Sequence, residues 1–217
     1  MKKMTNSLVL GSVLAASSLM SGTTMAAGAL SGNVGYVSDY YFRGIYQTGA
    51  SASGGVDYDF GNGLAVGLWA ADVDNGMEYD LYGSYSGEFK EFSYSVGYTS
   101  YNYTDDFDGT YGEVNLGGGY GPISVEYSVG TFDPVTGSSS DYSFTAITAE
   151  MGGAYIKFGT FGKDFDGSYT EVGYGMEVGG FDVGVAIIQN DEDLDGKSAD
   201  ADGETAMTFS LGKSFDL

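Results

Sequence analysis

The chain of 217 residues contains no cysteine and no histidine. Without cysteine, neither a disulfide framework nor a thiolate metal site can form. Without histidine, the commonest general base, the Ser-His and Cys-His activation schemes and imidazole metal ligation all drop out. Paired carboxylates, as glycosidases use them, are the catalytic chemistry that remains. A hydrolase of that kind needs two carboxyl groups converging in a cleft, which no local spacing here specifies, so the chain reads as a non-enzyme.

Positive charge is scarce as well, with 8 Lys and Arg against 30 Asp and Glu. Nucleic acid is therefore excluded as a partner, because binding it requires a basic footprint. Small cations are the natural partners of such a chain. Long apolar runs are also missing. Beyond the run from Leu8 to Met20, nothing approaches the ~20 residues of a membrane-spanning helix. A membrane-embedded form would have to be a closed barrel, the other structure that satisfies every backbone group in lipid.

The start of the chain reads as a secretory leader. Lys2 and Lys3 supply its charge, Leu8 to Met20 its apolar segment, and Thr24-Met25-Ala26-Ala27 a small-residue cut after Ala26. Residues 1–26 are thus expected to be a signal peptide and residues 27–217 one mature domain. With both lysines gone, six basic residues face thirty acidic ones, a net charge of −24.

What is plentiful is Gly (37), Tyr (19) and Phe (13), with Pro at 2 positions. That mixture favours strands. The periodicity agrees. The terminal stretch Ala206 to Leu217 alternates Met207, Phe209, Leu211, Phe215 and Leu217 with Thr208, Ser210, Gly212, Ser214 and Asp216, a strand with one apolar face. The same period recurs from Leu30 to Tyr46, with Leu30, Val34, Tyr36, Tyr40, Phe42 and Tyr46 on one parity, and a break is expected at Gln47-Thr48-Gly49. Further strands follow over Ala50 to Phe60, Leu64 to Val73, and around Leu81, Val96, Leu116, Val125, Ile156, Tyr174 and Val185. An eighth strand, Tyr142 to Met151, changes parity near Ala146, where a bulge is expected.

About twelve strands of roughly ten residues result, the length a tilted strand needs to cross a bilayer. Tight turns near 62, 89, 121, 152 and 179 alternate with connections that are mostly longer and acidic. An even-stranded barrel with short periplasmic turns and longer external loops has this asymmetry. The expected fold is all-β, a transmembrane antiparallel up-and-down β-barrel in the cell outer membrane after export to the periplasm. Outer-membrane lipid and lipopolysaccharide would be its surroundings. The ending Ser210-x-Gly212-x-x-Phe215-x-Leu217 resembles the terminal signal shared by outer-membrane barrels, which implies the barrel-assembly machinery as a partner.

Ser38-Asp39-Tyr40-Tyr41-Phe42-Arg43-Gly44, then Gln47, Gly54-Gly55-Val56-Asp57-Tyr58, Gly67-Leu68-Trp69-Ala70 and Glu78-Tyr79-Asp80-Leu81-Tyr82 resemble the opening of the TorF-type porins, also catalogued as the Gcw family of proteobacterial outer-membrane proteins. The motifs cover about the first third of the mature chain. The resemblance implies an outer-membrane barrel and carries over no site residues.

If the apolar parity faces lipid, the opposite parity lines the barrel. It carries Asp39, Asp57, Asp59, Glu78, Asp80, Glu113, Glu126, Glu171, Glu177 and Asp182 against Arg43, Lys157 and Lys163. An acidic lining favours cations over anions, since charge in a confined pore is weakly screened. Twelve strands lie between barrels filled by side chains and barrels holding water, so an open pore and a plugged interior both remain open. Arg43 is expected to pair with Asp57 or Asp59 across the first hairpin, either fixing register or forming the positive side of a constriction. Tyr101, Tyr103, Phe132, Phe158 and Tyr169 suit interfacial girdles.

In the last loop, Asp191, Asp193, Asp195 and Asp202, with Gly196, have a spacing that resembles an EF-hand Ca2+ loop. Asp closes it instead of Glu, and a solvated acidic loop is the competing reading. Two functions stand at this point. One is a small porin or channel, cation-preferring, passing ions or small solutes. The other is a closed structural or adhesive barrel whose acidic external loops bind divalent cations.

Overall fold

A computed structural model describes residues 28–194, 196 and 203–217. The leader over 1–26 lies outside the described residues. Twelve strands follow in order: β1 (Ala29–Phe42), β2 (Ile45–Asp59), β3 (Leu64–Val73), β4 (Gly76–Phe89), β5 (Phe92–Tyr103), β6 (Thr110–Tyr120), β7 (Ile123–Asp133), β8 (Ser140–Met151), β9 (Ala154–Lys163), β10 (Ser168–Val178), β11 (Phe181–Asn190) and β12 (Glu204–Asp216). Each pairs with its neighbours in sequence, and β1 closes the ring against β12. The closing seam is antiparallel, from Ser31 opposite Asp216 to Val37 opposite Ser210. Closure leaves no sheet edge with unpaired backbone groups, the condition for lying in lipid.

The alternating sequence sorts itself across the wall. Leu30, Val34, Val56, Leu64, Leu68, Val96, Leu116, Ile147, Ile187 and Leu211 all face outward and are exposed. In water such a continuous belt would far exceed the apolar patches that soluble proteins show, and as the lipid face of a membrane barrel it is satisfied. Phe89, Phe92, Tyr120, Phe181 and Phe215 are exposed near one rim, and Phe92 stacks on Tyr120 at 4.7 Å between centroids. These rings form the aromatic girdle of that rim.

That rim carries the five tight connections. Gly152 and Gly153, at φ of 61° and 91°, form the two-residue β8–β9 turn, whose twist requires the left-handed region at both positions. The opposite rim, the loop end, carries four longer connections and two short ones, Arg43-Gly44 between β1 and β2 and Asp74-Asn75 between β3 and β4.

The first of these short turns differs from the sequence expectation. β1 does not run to a break at Gln47-Thr48-Gly49. It turns at Arg43-Gly44 and pairs back as β2, with Phe42 opposite Ile45 and Tyr41 opposite Tyr46. The register slips between Tyr40 and Tyr41, because Gln47 is an extra residue in β2. This two-against-one arrangement is a β-bulge, which kinks the strand. Ala50 and Arg43 also sit at positive φ, 58° and 51°. Tyr40, expected on the lipid face, is buried inside at 1% exposure.

β8 differs too. Its pairing with β7 and β9 runs without a slip from Tyr142 to Met151, so there is no bulge at Ala146. Tyr142, Phe144 and Ala146 all face inward and are buried. The alternation is blurred there because the lumen behind this half of the strand is itself apolar.

Candidate functional site

The first hairpin leans into the barrel. β7 stands six strands from β1 in either direction around the ring, the farthest possible position. A twelve-stranded ring is about 24 Å across at usual strand spacing and tilt, far more than an arginine side chain spans. Arg43 nevertheless donates to Glu113 on β6 through Nη1 and Nη2, both at 2.8 Å. Nη2 also reaches Glu126 at 3.0 Å and Ser128 at 3.1 Å on β7. The backbone has therefore carried the guanidinium into the interior.

Several elements grip the tip. Asn190 Nδ2 on β11 donates to the Gly44 carbonyl at 3.1 Å. Gly44, at φ 84°, lies so close to Tyr169 that an added Cβ would come within 2.7 Å of its ring. Only glycine fits both the conformation and the gap. Tyr41, Phe144, Ala146, Tyr169, Ile188 and Leu194 form one apolar cluster around this point, while Val37, Tyr40, Trp69, Ala71 and Val73 form a second. Phe144 lies beneath the guanidinium at 4.3 Å, a cation–π contact in a desolvated setting.

Glu113 is the hub on the far wall. Besides Arg43 it accepts from Tyr101 and Tyr142, each at 2.8 Å, and from Asn115 at 2.6 Å. Five donated bonds spread over its two oxygens, including a two-point pairing with a planar guanidinium, make this a strong charge-assisted arrangement. Above it the rings continue: Tyr111 stacks on Phe132 at 4.4 Å and Tyr142 on Phe165 at 5.3 Å. Together the tip and the rings fill the loop half of the lumen.

This corrects two expectations. Arg43 does not pair with Asp57 or Asp59; Asp57 accepts from Asn33 at 3.3 Å and from Tyr82, and Asp59 accepts from the Gly61 amide. Of the proposed girdle aromatics, Phe158 faces out, whereas Tyr101 and Tyr169 are buried and Tyr103 and Phe132 join the internal stack. Their inward parity was readable, but their aromatic nature pointed to the interface.

The remaining lumen positions divide by height. Asp39, Glu78, Asp80 and Glu113 lie in the filled loop half, where Glu78, Asp80 and Glu113 are buried. Ser38 Oγ donates to Asp39 at 3.2 Å. Asp57 and Lys157 lie lower, while Glu171 stands near mid-wall, opposite Lys157 on one side and Ile188 on the other, with Tyr155 donating to it. Glu177 and Asp182 face each other near the turn rim. Lys163 sits exposed at the loop rim. The wall of the turn half is built mostly from small and polar residues, Asn33, Gly35, Ser53, Gly55, Ser84, Gly97, Gly117, Gly175, Gly184 and Gly212, with the rings of Tyr82 and Tyr155 lying across Gly67 and Gly173. A recess of about 520 Å3 opens at the turn rim beside Ser93, Ser124 and Glu150.

The last loop is committed to the hairpin. Asp191 accepts from the Ser168 amide and hydroxyl, both at 2.7 Å, and Leu194 is buried against the tip. Asp193 donates its amide to Asp191 at 3.2 Å. Asp195 and Asp202 lie outside the described residues, and among the described residues no three carboxylates surround a common point. In the terminal strand, Ser210 and Gly212 face the lumen at the seam. Phe215 and Leu217 are exposed, the amide of Leu217 donating to Leu30 at 3.0 Å.

A closed twelve-stranded barrel with an apolar outer belt and a largely polar, acidic interior is the fold of a transmembrane β-barrel. Residues 22–215 match the family described as bacterial protein of unknown function, Gcw_chp, and the chain belongs to it. No curated protein matches the sequence. Among solved structures, the KdgM porin superposes with a TM-score of 0.56 at 11% identity, over 85% of this chain and 99% of that one. The NanC porin does so with a TM-score of 0.56 at 10% identity, over 87% and 100%. At such identities the likeness is one of fold.

Proposed function

We propose that this protein is a small outer-membrane channel that prefers cations and is gated by its own β1–β2 hairpin, passing ions or small solutes when the tip withdraws. The observation that carries the reading is the Arg43 tip held against Glu113 and Glu126 across an otherwise acidic lumen. Below the tip the wall is small and polar. In the loop half the passage is occupied by the tip of a kinked hairpin, held to the far wall by side-chain contacts alone. Two non-glycine residues at positive φ, Ala50 and Arg43, hold backbone strain of order 1–3 kcal/mol each, which surrounding contacts must maintain. Strain of that kind suits a segment with a second resting position. Kinship to the TorF-type porins goes with this assignment, and no catalysis is part of it.

The packed loop half favours a second reading, a closed structural or adhesive barrel. Planar-bilayer recording of the refolded mature protein, with the reversal potential taken across a KCl gradient, separates them. Discrete openings with a cation-selective reversal potential are expected. Silence from correctly inserted protein would sink the channel.

A further inference from the structure

Two carboxylates in the lumen are not accounted for by the hairpin. Glu78 and Asp80 sit two residues apart on the inward face of β4, and both are completely buried at 0% exposure. Glu78 accepts from Tyr40 at 3.0 Å through Oε2, and the hydroxyl of Tyr103 stands beside it. Its Oε1 and both oxygens of Asp80 are buried without any hydrogen-bond partner. Among the described residues, Arg43 is the cation that forms ion pairs inside the barrel, and its partners are Glu113 and Glu126. The charges acting on Asp80 are those of Glu78 and Glu113, both of its own sign.

A buried carboxylate without a counter-charge or hydrogen bonds is among the most costly groups a fold can hold. Three orphaned oxygens on two adjacent side chains concentrate that cost at one place. The surroundings supply further oxygen: Tyr40 and Tyr101 place their hydroxyls in the same half of the lumen, and Asp80 lies directly between Trp69 on β3 and Tyr101 on β5. Hard oxygen donors and two uncompensated negative charges together select a hard divalent cation. Flexible oxygen ligation suits Ca2+, whereas Mg2+ demands near-ideal octahedral geometry and gives up water reluctantly.

We infer that Glu78 and Asp80 form a binding site for a single divalent cation, of which Ca2+ is the best match, inside the loop half of the barrel. Two carboxylates with supporting neutral oxygens make a weak site, comparable to extracellular modules at about 10⁻⁴ to 10⁻³ M. The bound ion neutralises the pair and stiffens the wall beside the Arg43 hub. The inference rests on the channel reading only in that the ion reaches the site through the lumen.

Trp69 is the one tryptophan of the chain and the direct cross-strand partner of Asp80, so it reports on the site. The refolded mature protein in zwitterionic micelles, stripped with EDTA, is titrated with CaCl2 at constant ionic strength while Trp69 emission is followed. A saturable change with a midpoint of about 10⁻⁴ to 10⁻³ M is expected. In Asp80→Asn and Glu78→Gln the midpoint should rise at least tenfold, while Asp191→Asn, in the external loop, should leave it unchanged. Tb3+ luminescence sensitised by Trp69 in the unmodified protein, displaced by Ca2+, gives a readout that does not depend on the variants folding. No saturable response in either experiment would overturn the site and leave the pair neutralised by protons. A response surviving intact in Asp80→Asn would overturn it equally. A barrel that binds Ca2+ in this way but stays silent in bilayers would sink the channel and spare the site.

Discussion

Arg43 and Glu113, seventy residues apart in the chain, meet in a two-point ion pair with both N–O distances at 2.8 Å. The pair joins the tip of one hairpin to the far wall of the barrel, so whatever breaks it frees the tip. Removing one partner of a buried pair leaves the other charge stranded, a loss of about 3–5 kcal/mol. Arg43→Met should therefore lower stability by that amount in urea unfolding from vesicles and lengthen channel openings in bilayers. The double variant Arg43→Met with Glu113→Gln should recover part of the stability while keeping the long openings, because the fully buried charge is then gone and only the more exposed Glu126 is left without its partner. Stability lost additively across the two variants would contradict the pairing as the restraint.

Selectivity should follow the lower carboxylates. Glu171 lies near mid-wall, partly exposed to the lumen, between Lys157 and Ile188 on the neighbouring strands. One charge about 4 Å from a passing ion is worth about 1 kcal/mol even at the dielectric of bulk water, roughly a fivefold change in relative permeability. Glu171→Gln keeps an acceptor for Tyr155 and removes the charge. The K+ to Cl− permeability ratio from reversal potentials should fall by up to that factor, with conductance little altered. An unchanged ratio would place the selective step elsewhere.

Tyr82 lies across Gly67 on the neighbouring strand to reach Asp57. An added Cβ at Gly67 would come within 2.5 Å of the Tyr82 ring. Gly67→Val should expel the ring and cost about 1–3 kcal/mol, the usual penalty of overpacking. Adding Tyr82→Ala should relieve most of that cost. The urea midpoints of the single and double variants test this, and equal midpoints would mean that the ring does not rest there.

The barrel was legible because lipid imposes its period on every strand. Alternation at Leu64, Val66 and Leu68, or at Phe209 and Leu211, has no competing explanation, and Gly152-Gly153 or Gly121-Pro122 marks the turns between strands. The first hairpin was not legible for the same reason. Tyr40, Phe42 and Tyr46 are aromatic because they pack inside the filled loop half, yet in a membrane protein aromatic residues read as lipid-facing or interfacial. The partners of Arg43 were hidden by distance: a contact over seventy residues leaves no local spacing to detect. A signal was present in the dipeptide Arg43-Gly44, where a glycine able to adopt positive φ follows a lone cation within a strand-like run. Of the two tyrosines that hold Glu113, Tyr101 reads in the sequence as an interfacial ring and Tyr142 as the start of a strand of unclear parity, and neither carries a local mark of a buried hydroxyl donor. The orphaned oxygens of Asp80 appear only once the neighbouring strands are in register.

The β1–β12 seam is the last pairing the chain can complete, since it joins strands about 180 residues apart and closing so long a loop is entropically slow. Phe215 stands opposite Gly32 at that seam, and a Cβ on Gly32 would come within 2.8 Å of its ring. The ring covers the bare glycine backbone, the aromatic rescue that stabilises weak strand positions. It is also the first apolar residue of the terminal pattern Phe215-x-Leu217. Phe215→Ala should slow folding into vesicles severalfold, whereas Phe209→Ala, on the same face of the same strand but farther from the terminus, should cost stability and leave the folding rate nearly unchanged. Heat-modifiable gel mobility sampled over time measures both. Equal rates for the two variants would remove any special part for Phe215 in closing the barrel and leave it one lipid-facing ring among many.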